Sequence, residues 1–321
     1  MPARDTDIRT VTLVDIPLVL RLIEKSIILD CEVSVTRDTS GTQGSISSLL
    51  LPQRGTHTMV ARSDKQQVVG QFRLRPDAFH AQIVYLAPHL EADTEDTAWL
   101  HVLDAMAREA GKHSAHALLA EVDEDQPLFE TLRTAGFAVY ARQEIWRHEA
   151  GIALPDDLPE RYLTEATADD EIGILSLLGA IVPGLVQPFA MPPAEMSGLI
   201  YRVDERIEAY FAYSEGKNGI FVIPYLHPDI LPEAESVIAA ALRLIPRAGK
   251  LPIYLRVRRY QDWISSALED LQFTSVLRQA LMVRHIAAGV RHAEFAPLSH
   301  QLEHATRPVK PNRYVDVVPT P

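Results

Sequence analysis

The feature that most constrains the fold is an internal repeat whose period is a little under half the length of the chain. A cluster of apolar, glycine and polar positions recurs at one constant offset, as Leu132, Gly136-Phe137 and Arg142-Gln143 against Leu268, Gln272-Phe273 and Arg278-Gln279. Upstream, Tyr85-Leu86 recurs as Tyr225-Leu226 at a slightly longer offset. Solenoid repeats are only ~20–50 residues long. A period this long therefore indicates two duplicated domains.

The repeat divides the chain into four segments. We predict an N-terminal domain over residues 1–150, a linker over 151–160, a C-terminal domain over 161–286 and a proline-rich tail over 287–321. A chain of 321 residues is the usual length for about two domains. Its hydrophobic content of 47% is enough for two cores and argues against disorder.

The same order of elements is predicted in both copies: strand, helix, three antiparallel strands, helix, strand, helix, two strands. Alternating and helical apolar patterns indicate these elements. In the first copy the strands are 8–11, 57–61, 68–73, 79–86, 117–122, 137–142 and 143–148, with helices from Asp15, over 94–110 and from Asp125. Residues 36–56 are rich in Ser, Thr and Gly and predict a long loop.

This order resembles the GNAT (N-acetyltransferase) superfamily. The resemblance is most detailed at Val84–Pro88 before a long helix, at Leu118–Val122, and at Ala135-Gly136-Phe137 after the next helix. The resemblance implies an α/β fold with a mixed sheet: two tandem GNAT-like domains, each a mostly antiparallel sheet with a splayed strand pair flanked by helices. It also implies that acetyl-CoA or another acyl-CoA lies in the splay. The pantetheine would pair with the fourth strand and the pyrophosphate would sit at the next helix N-terminus.

Carried over by resemblance, the cofactor-binding positions are Tyr85, Leu86, Ala92, Thr94 and Thr97 in the first copy and Tyr225 and Leu226 in the second. The family's pyrophosphate loop is Arg or Gln, two residues, Gly, one residue, Gly or Ala. Residues 88–97 hold four carboxylates and no glycine, and residues 227–235 hold two prolines and three acids. Acids oppose an anion and prolines remove amide donors. The sequence therefore predicts that ordinary CoA binding is disfavoured in both halves.

For acyl transfer, the candidate general bases are His80 and Glu121. The family's proton-donating tyrosine is replaced by Phe129 in one copy and Trp263 in the other, which leaves Tyr260 as a substitute acid one turn earlier. The alternative interpretation makes His80 a half-exposed strand residue and Glu121 part of a solvated acidic loop.

Three arginines, Arg256, Arg258 and Arg259, follow the corresponding strand of the second copy. They could clamp a phosphate or carboxylate, or they could pair with acids of the first copy across the domain interface. We favour the pairing.

No metal site is predicted. His300, Glu303 and His304 match an inverted zinc-peptidase pattern, but they lie in the tail, where a third ligand is scarce. The single cysteine, Cys31, is predicted to be a buried and inert thiol because its neighbours are acidic.

The net charge of −12 argues against nucleic acid as a partner. No apolar run approaches membrane-spanning length and no signal peptide is recognisable, so no membrane partner and a cytoplasmic location are expected. Two functions stay open: an N-acyltransferase acting on a small-molecule amine, and an inactive pseudo-acetyltransferase that binds a ligand or an unknown protein partner. A homodimer is one candidate assembly.

Overall fold

A computed structural model describes residues 7–37, 55–62, 66–76, 78–151, 153–155 and 157–286. Three sequence predictions fall outside these ranges: most of the loop over 36–56, the proline-rich tail, and the His300–His304 motif within that tail.

The first half contains seven strands and four α-helices in these ranges. The strands are β1 (Asp7–Thr10), β2 (Ile27–Ile28), β3 (Thr56–Arg62), β4 (Gln67–Leu74), β5 (His80–Ala87), β6 (Ala117–Val122) and β7 (Ala138–His148). The helices are α1 (Ile16–Ile23), α2 (Cys31–Thr36), α3 (Thr97–Lys112) and α4 (Pro127–Thr134).

Within the described ranges, the second half repeats this order without counterparts of β2 and α2. Its strands are β8 (Leu163–Glu165), β9 (Ser197–Val203), β10 (Arg206–Glu215), β11 (Ile220–Leu226), β12 (Ile253–Arg258) and β13 (Thr274–His285). Its helices are α5 (Glu171–Ile181), α6 (Ala234–Leu244) and α7 (Ser265–Asp270). Even the helix entry recurs: Thr12 and Asp15 form a capping box before α1, and Thr167 and Asp170 form one before α5.

All strands belong to one sheet, in the order β1-β3-β4-β5-β6-β13-β7-β12-β11-β10-β9-β8, with β2 added on β5. Among the described strands, only β5–β6 and β11–β12 pair in parallel. The other pairs are antiparallel, as the mixed-sheet fold class predicted. Helix α3 packs its apolar face, including Trp99, Leu103 and Met106, into the core of the first half. Helix α6 does the same in the second half with Val237, Ile238 and Leu242.

The two halves exchange their last strands. Strand β13 belongs to the second half in sequence, but its residues 280–285 pair with β6 of the first half. Strand β7 belongs to the first half, but its residues 143–148 pair with β12 of the second. The two long strands also pair with each other, with Gln143 directly opposite Gln279, its repeat equivalent. Each half therefore completes its sheet with a segment of the other. The domain boundary near residue 150 stays a prediction from the sequence.

One prediction from the sequence, which concerns the last strands of each half, was wrong. Residues 137–142 and 143–148 were expected to be two strands, but they form the single strand β7. The equivalent pair in the second half is likewise one strand, β13, with a register shift between Ser275 and Leu277. A hairpin pattern and a long strand have the same alternation, and no turn residues separate the two segments of β7.

Helix α2 was not predicted, and it forms a second contact between the halves. Its C-terminal end packs against the turn between β10 and β11, where the Asn218 amide donates to the Thr36 carbonyl oxygen at 3.2 Å. A Cβ on Gly216 would lie 2.1 Å from that oxygen, and one on Gly219 would lie 2.7 Å from the Val35 oxygen. Glycine is required at this turn because the two backbones approach too closely for a side chain.

Candidate functional site

Both parallel strand pairs separate part-way along their length. Strands β5 and β6 pair from His80–Ala117 to Gln82–Leu119, after which no pairing connects them. Strands β11 and β12 pair from Ile220–Ile253 to Val222–Leu255 and then also diverge. Each divergence leaves a V-shaped opening, with the edge of β5 or β11 exposed to it.

The chain's own backbone fills the first opening. The Leu29 amide donates to the Val84 carbonyl oxygen of β5 at 2.9 Å, and the Leu29 carbonyl oxygen accepts from the Glu121 amide of β6 at 3.0 Å. Just before it, β2 pairs with β5 through Ile27 and Leu86. Leu29 is fully buried. The segment therefore bridges the two strands and uses the hydrogen-bonding groups that the opening would present to a ligand.

A side chain closes the second opening. The amide of Gln261 lies against the edge of β11. In the amide orientation that satisfies both groups, Nε2 donates to the Pro224 carbonyl oxygen at 3.2 Å and Oε1 accepts from the Leu226 amide at 3.1 Å. Pro224 and Leu226 are the repeat equivalents of Val84 and Leu86, so both closures act on the same backbone positions. Gln261 is 2% exposed, and the contact is shielded from water.

Between the two openings lies a polar cavity of about 60 Å³. A water molecule needs ~10–15 Å³ of such space, so there is room for several waters or a small ligand. Both halves contribute to the wall: His80, Gln82 and Glu121 come from β5 and β6, and Arg256 and Arg258 come from β12. Apolar side chains of the segment before β9 and of β11 and β13 complete it, including Phe189, Met191, Met196, Ile223 and Leu281.

Glu121 makes three polar contacts at the cavity wall. Its carboxylate accepts from the Cys31 amide at 2.7 Å and from Gln143 Nε2 at 3.1 Å, and it pairs with Arg256 Nη1 at 3.3 Å. Because the group is 5% exposed, these three donors replace the solvation it has lost. The pairing that we favoured between the three arginines and acids of the first half is confirmed for Arg256. It is wrong for Arg258, which forms no salt bridge within the described residues.

His80 lies on the same wall, where burial, and secondarily the charge of Arg75, lower the pKa of its imidazole to about 4. The imidazole is therefore neutral at pH 7. Tyr260 has a buried hydroxyl with no hydrogen-bond partner among the described residues, but it does not line the cavity. The thiol of Cys31 is buried as predicted, and burial raises its pKa well above the usual range.

Comparison with solved structures identifies the fold. A GCN5-related N-acetyltransferase from Sphaerobacter thermophilus superposes with a TM-score of 0.55 at 10% sequence identity, over 89% of this chain and 97% of that chain. A tandem GNAT protein from the clavulanic acid biosynthesis pathway superposes with a TM-score of 0.51 at 14% identity, over 88% and 99%. The chain has the tandem GNAT fold. No family model matches the sequence, and no match was found among curated proteins.

In this GNAT fold, the positions expected to hold the cofactor fall into two groups. The strand positions Tyr85, Leu86, Tyr225 and Leu226 are buried beside the two closed openings. The loop positions Ala92 and Thr97 are exposed before and at the start of α3. Thr94 is half-buried between them, and its amide is already used by the Glu91 carbonyl oxygen at 3.0 Å. Their assignment to a cofactor stays a prediction.

One acid near the second helix N-terminus is also engaged within the chain. Glu233, the residue before α6, accepts from the Tyr201 hydroxyl at 2.8 Å and from Arg161 Nε at 2.9 Å. The His227 ring accepts from the Asp229 amide at 3.3 Å. Sequence reasoning noticed the acids, but it missed Leu29 and Gln261, since neither belongs to a motif.

None of the helices within the described ranges combines the length and apolar character that crossing a membrane requires.

Proposed function

We propose that this tandem GNAT protein is a non-catalytic ligand-binding module whose ligand occupies the cavity between the halves. The observation that carries the proposal is the Leu29 backbone bridge between Val84 and Glu121. In the GNAT resemblance, acyl-CoA pairs its pantetheine with this strand edge, and here the edge already has an intramolecular partner.

The second closure supports the same conclusion. A ligand that displaced the Gln261 amide would leave a buried side chain without partners, which costs about 1–3 kcal/mol. Displacing the Leu29 segment would cost more, because it breaks two backbone hydrogen bonds and exposes a fully buried leucine. The favourable contacts of acyl-CoA would have to exceed these free-energy costs in each half before it could bind.

Calorimetric titration of the full chain with acetyl-CoA and with CoA tests the proposal. We expect no binding up to about 100 μM, which corresponds to roughly −5.5 kcal/mol. Tighter binding of either compound would overturn it. Hydrogen exchange gives an independent measurement: the Leu29 and Glu121 amides should be strongly protected in the ligand-free protein, and exchange as fast as in an exposed loop would show an open slot.

An N-acyltransferase acting on a small amine is the second candidate function. It is favoured by the presence of His80 and Glu121 on one cavity wall, where the neutral imidazole could accept a proton. Release of free CoA thiol from acetyl-CoA in the presence of amines would establish this activity. If that release disappeared in His80→Gln, the non-catalytic proposal would be refuted.

A further inference from the structure

Arg258 is a buried cation that forms no salt bridge within the described residues. It ends β12, it is 4% exposed, and it lines the cavity between the halves. Its Nε and Nη1 atoms are buried and have no hydrogen-bond partner in the described part of the chain. Buried charges in proteins are normally paired or bind an ion, because an isolated one is strongly unfavourable.

The acids that line the cavity pair with other arginines. Glu121 pairs with Arg256 at 3.3 Å. Asp30 pairs with Arg73 at 2.8 Å, and Glu32 pairs with Arg75 at 2.9 Å. The three carboxylates that line the cavity are therefore neutralised by other side chains.

A further donor at the cavity wall is also unused. Arg256 Nε is buried with no hydrogen-bond partner within the described ranges. Burial, and then the nearby charge of Arg256, lower the pKa of Arg258, so the charged form is destabilised by its surroundings. Buried donors of Arg258 and Arg256 at the cavity wall therefore have no acceptor among the described residues.

We propose that the cavity binds one short-chain carboxylate anion, with its carboxylate on Arg258 and its alkyl group against Phe189, Met196 and Ile223. This inference rests on the proposed function and names the ligand class. A guanidinium is planar and matches a carboxylate in shape. Room of about 60 Å³ limits the ligand to a few heavy atoms. A doubly charged phosphate is disfavoured because Arg258 supplies only one unpaired positive charge.

Thermal unfolding of the full chain with sodium butyrate tests the proposal, with sodium chloride at equal ionic strength as the reference. We expect a saturable rise in melting temperature with butyrate, confirmed by calorimetric titration. The rise should disappear in Arg258→Met, with affinity at least tenfold weaker. It should persist in Arg259→Met, a matched control because Arg259 is the adjacent arginine and is exposed.

The ligand-free variants give a second measurement. Arg258→Met removes the uncompensated charge and keeps similar volume, so its melting temperature should exceed that of the wild type by about 2 °C or more. Arg258→Lys keeps the charge but loses the planar fork, so it should fold and bind butyrate more weakly.

Three results would overturn the carboxylate site: no binding of butyrate, equal stabilisation of wild type and Arg258→Met, or stronger binding of inorganic phosphate than of butyrate. These results are separable from the CoA titration. Binding of acetyl-CoA would refute the proposed function even if butyrate bound at Arg258. Failure of butyrate to bind would refute only the carboxylate site.

Discussion

The pair formed by Glu121 and Arg256 should be the most consequential polar contact at the junction of the halves. Replacing Glu121 by Gln keeps the shape and an acceptor for the Cys31 amide, but it removes the charge opposite Arg256. Breaking a buried ion pair from one side costs about 3–5 kcal/mol. Because Gln retains part of the hydrogen bonding and the side chain of Arg256 is 12% exposed, we expect about 3 kcal/mol of lost stability.

The assay is urea denaturation at pH 7 of Glu121→Gln, Arg256→Met and the double variant. Removing both partners leaves no uncompensated charge from this pair, so the double variant should lose less than the two single variants together, by at least about 2 kcal/mol. Glu124→Gln is the control, since Glu124 pairs with Arg142 at the surface, where an ion pair contributes about 0–1 kcal/mol. Additivity within about 0.5 kcal/mol would refute the coupling.

Three further predictions follow from individual residues. The pKa of His80 falls from 6.5 to about 4 on folding. Between these two pH values the unfolded chain binds more protons than the folded chain, so the free energy of unfolding decreases as the pH falls. Urea titrations at pH 7 and pH 4 should show wild type losing about 2–3 kcal/mol more than His80→Gln, and equal losses would contradict this. Gly216→Ala places a Cβ 2.1 Å from the Thr36 oxygen and should lower the free energy of unfolding by about 1–3 kcal/mol in thermal unfolding. Gly179→Ala is the control: it lies in α5 with nothing within 4 Å of the added Cβ, so it should be neutral or stabilising. Similar losses of stability in both variants would refute the close-approach argument. Cys31 should react with a thiol reagent only after denaturant is added, because the thiol is buried and its pKa is raised; rapid labelling of the native protein would show that the thiol is accessible.

The repeat and the order of its elements were predictable because they depend on local patterns that survive duplication. Gly136-Phe137 and Gln272-Phe273 mark the same helix end in both halves, and α4 and α7 do end just before them. The partner of each last strand was not predictable. β7 and β13 have nearly the same alternation, so sequence cannot tell whether a strand closes its own half or the other.

The candidate site was only partly predictable for a related reason. His80, Glu121 and Arg256 could be proposed from residue type and position, and the structure brings all three to one cavity. Leu29 and Gln261 could not, because their effect lies in a backbone amide and a primary amide that meet β5 and β11 only after folding. Such closures leave no signature in residue spacing.

The strand exchange has a consequence for the nascent chain. Strand β6 ends at Val122, but the segment of β13 that covers it ends at His285, so about half of the chain has still to be made when β6 is complete. At about 5–20 residues per second, the ribosome needs roughly 10–30 s to supply that segment. During this time β6 presents an unpaired edge, which is a site for pairing with other chains. We therefore expect a chain truncated at the predicted linker to aggregate during synthesis instead of yielding a stable half.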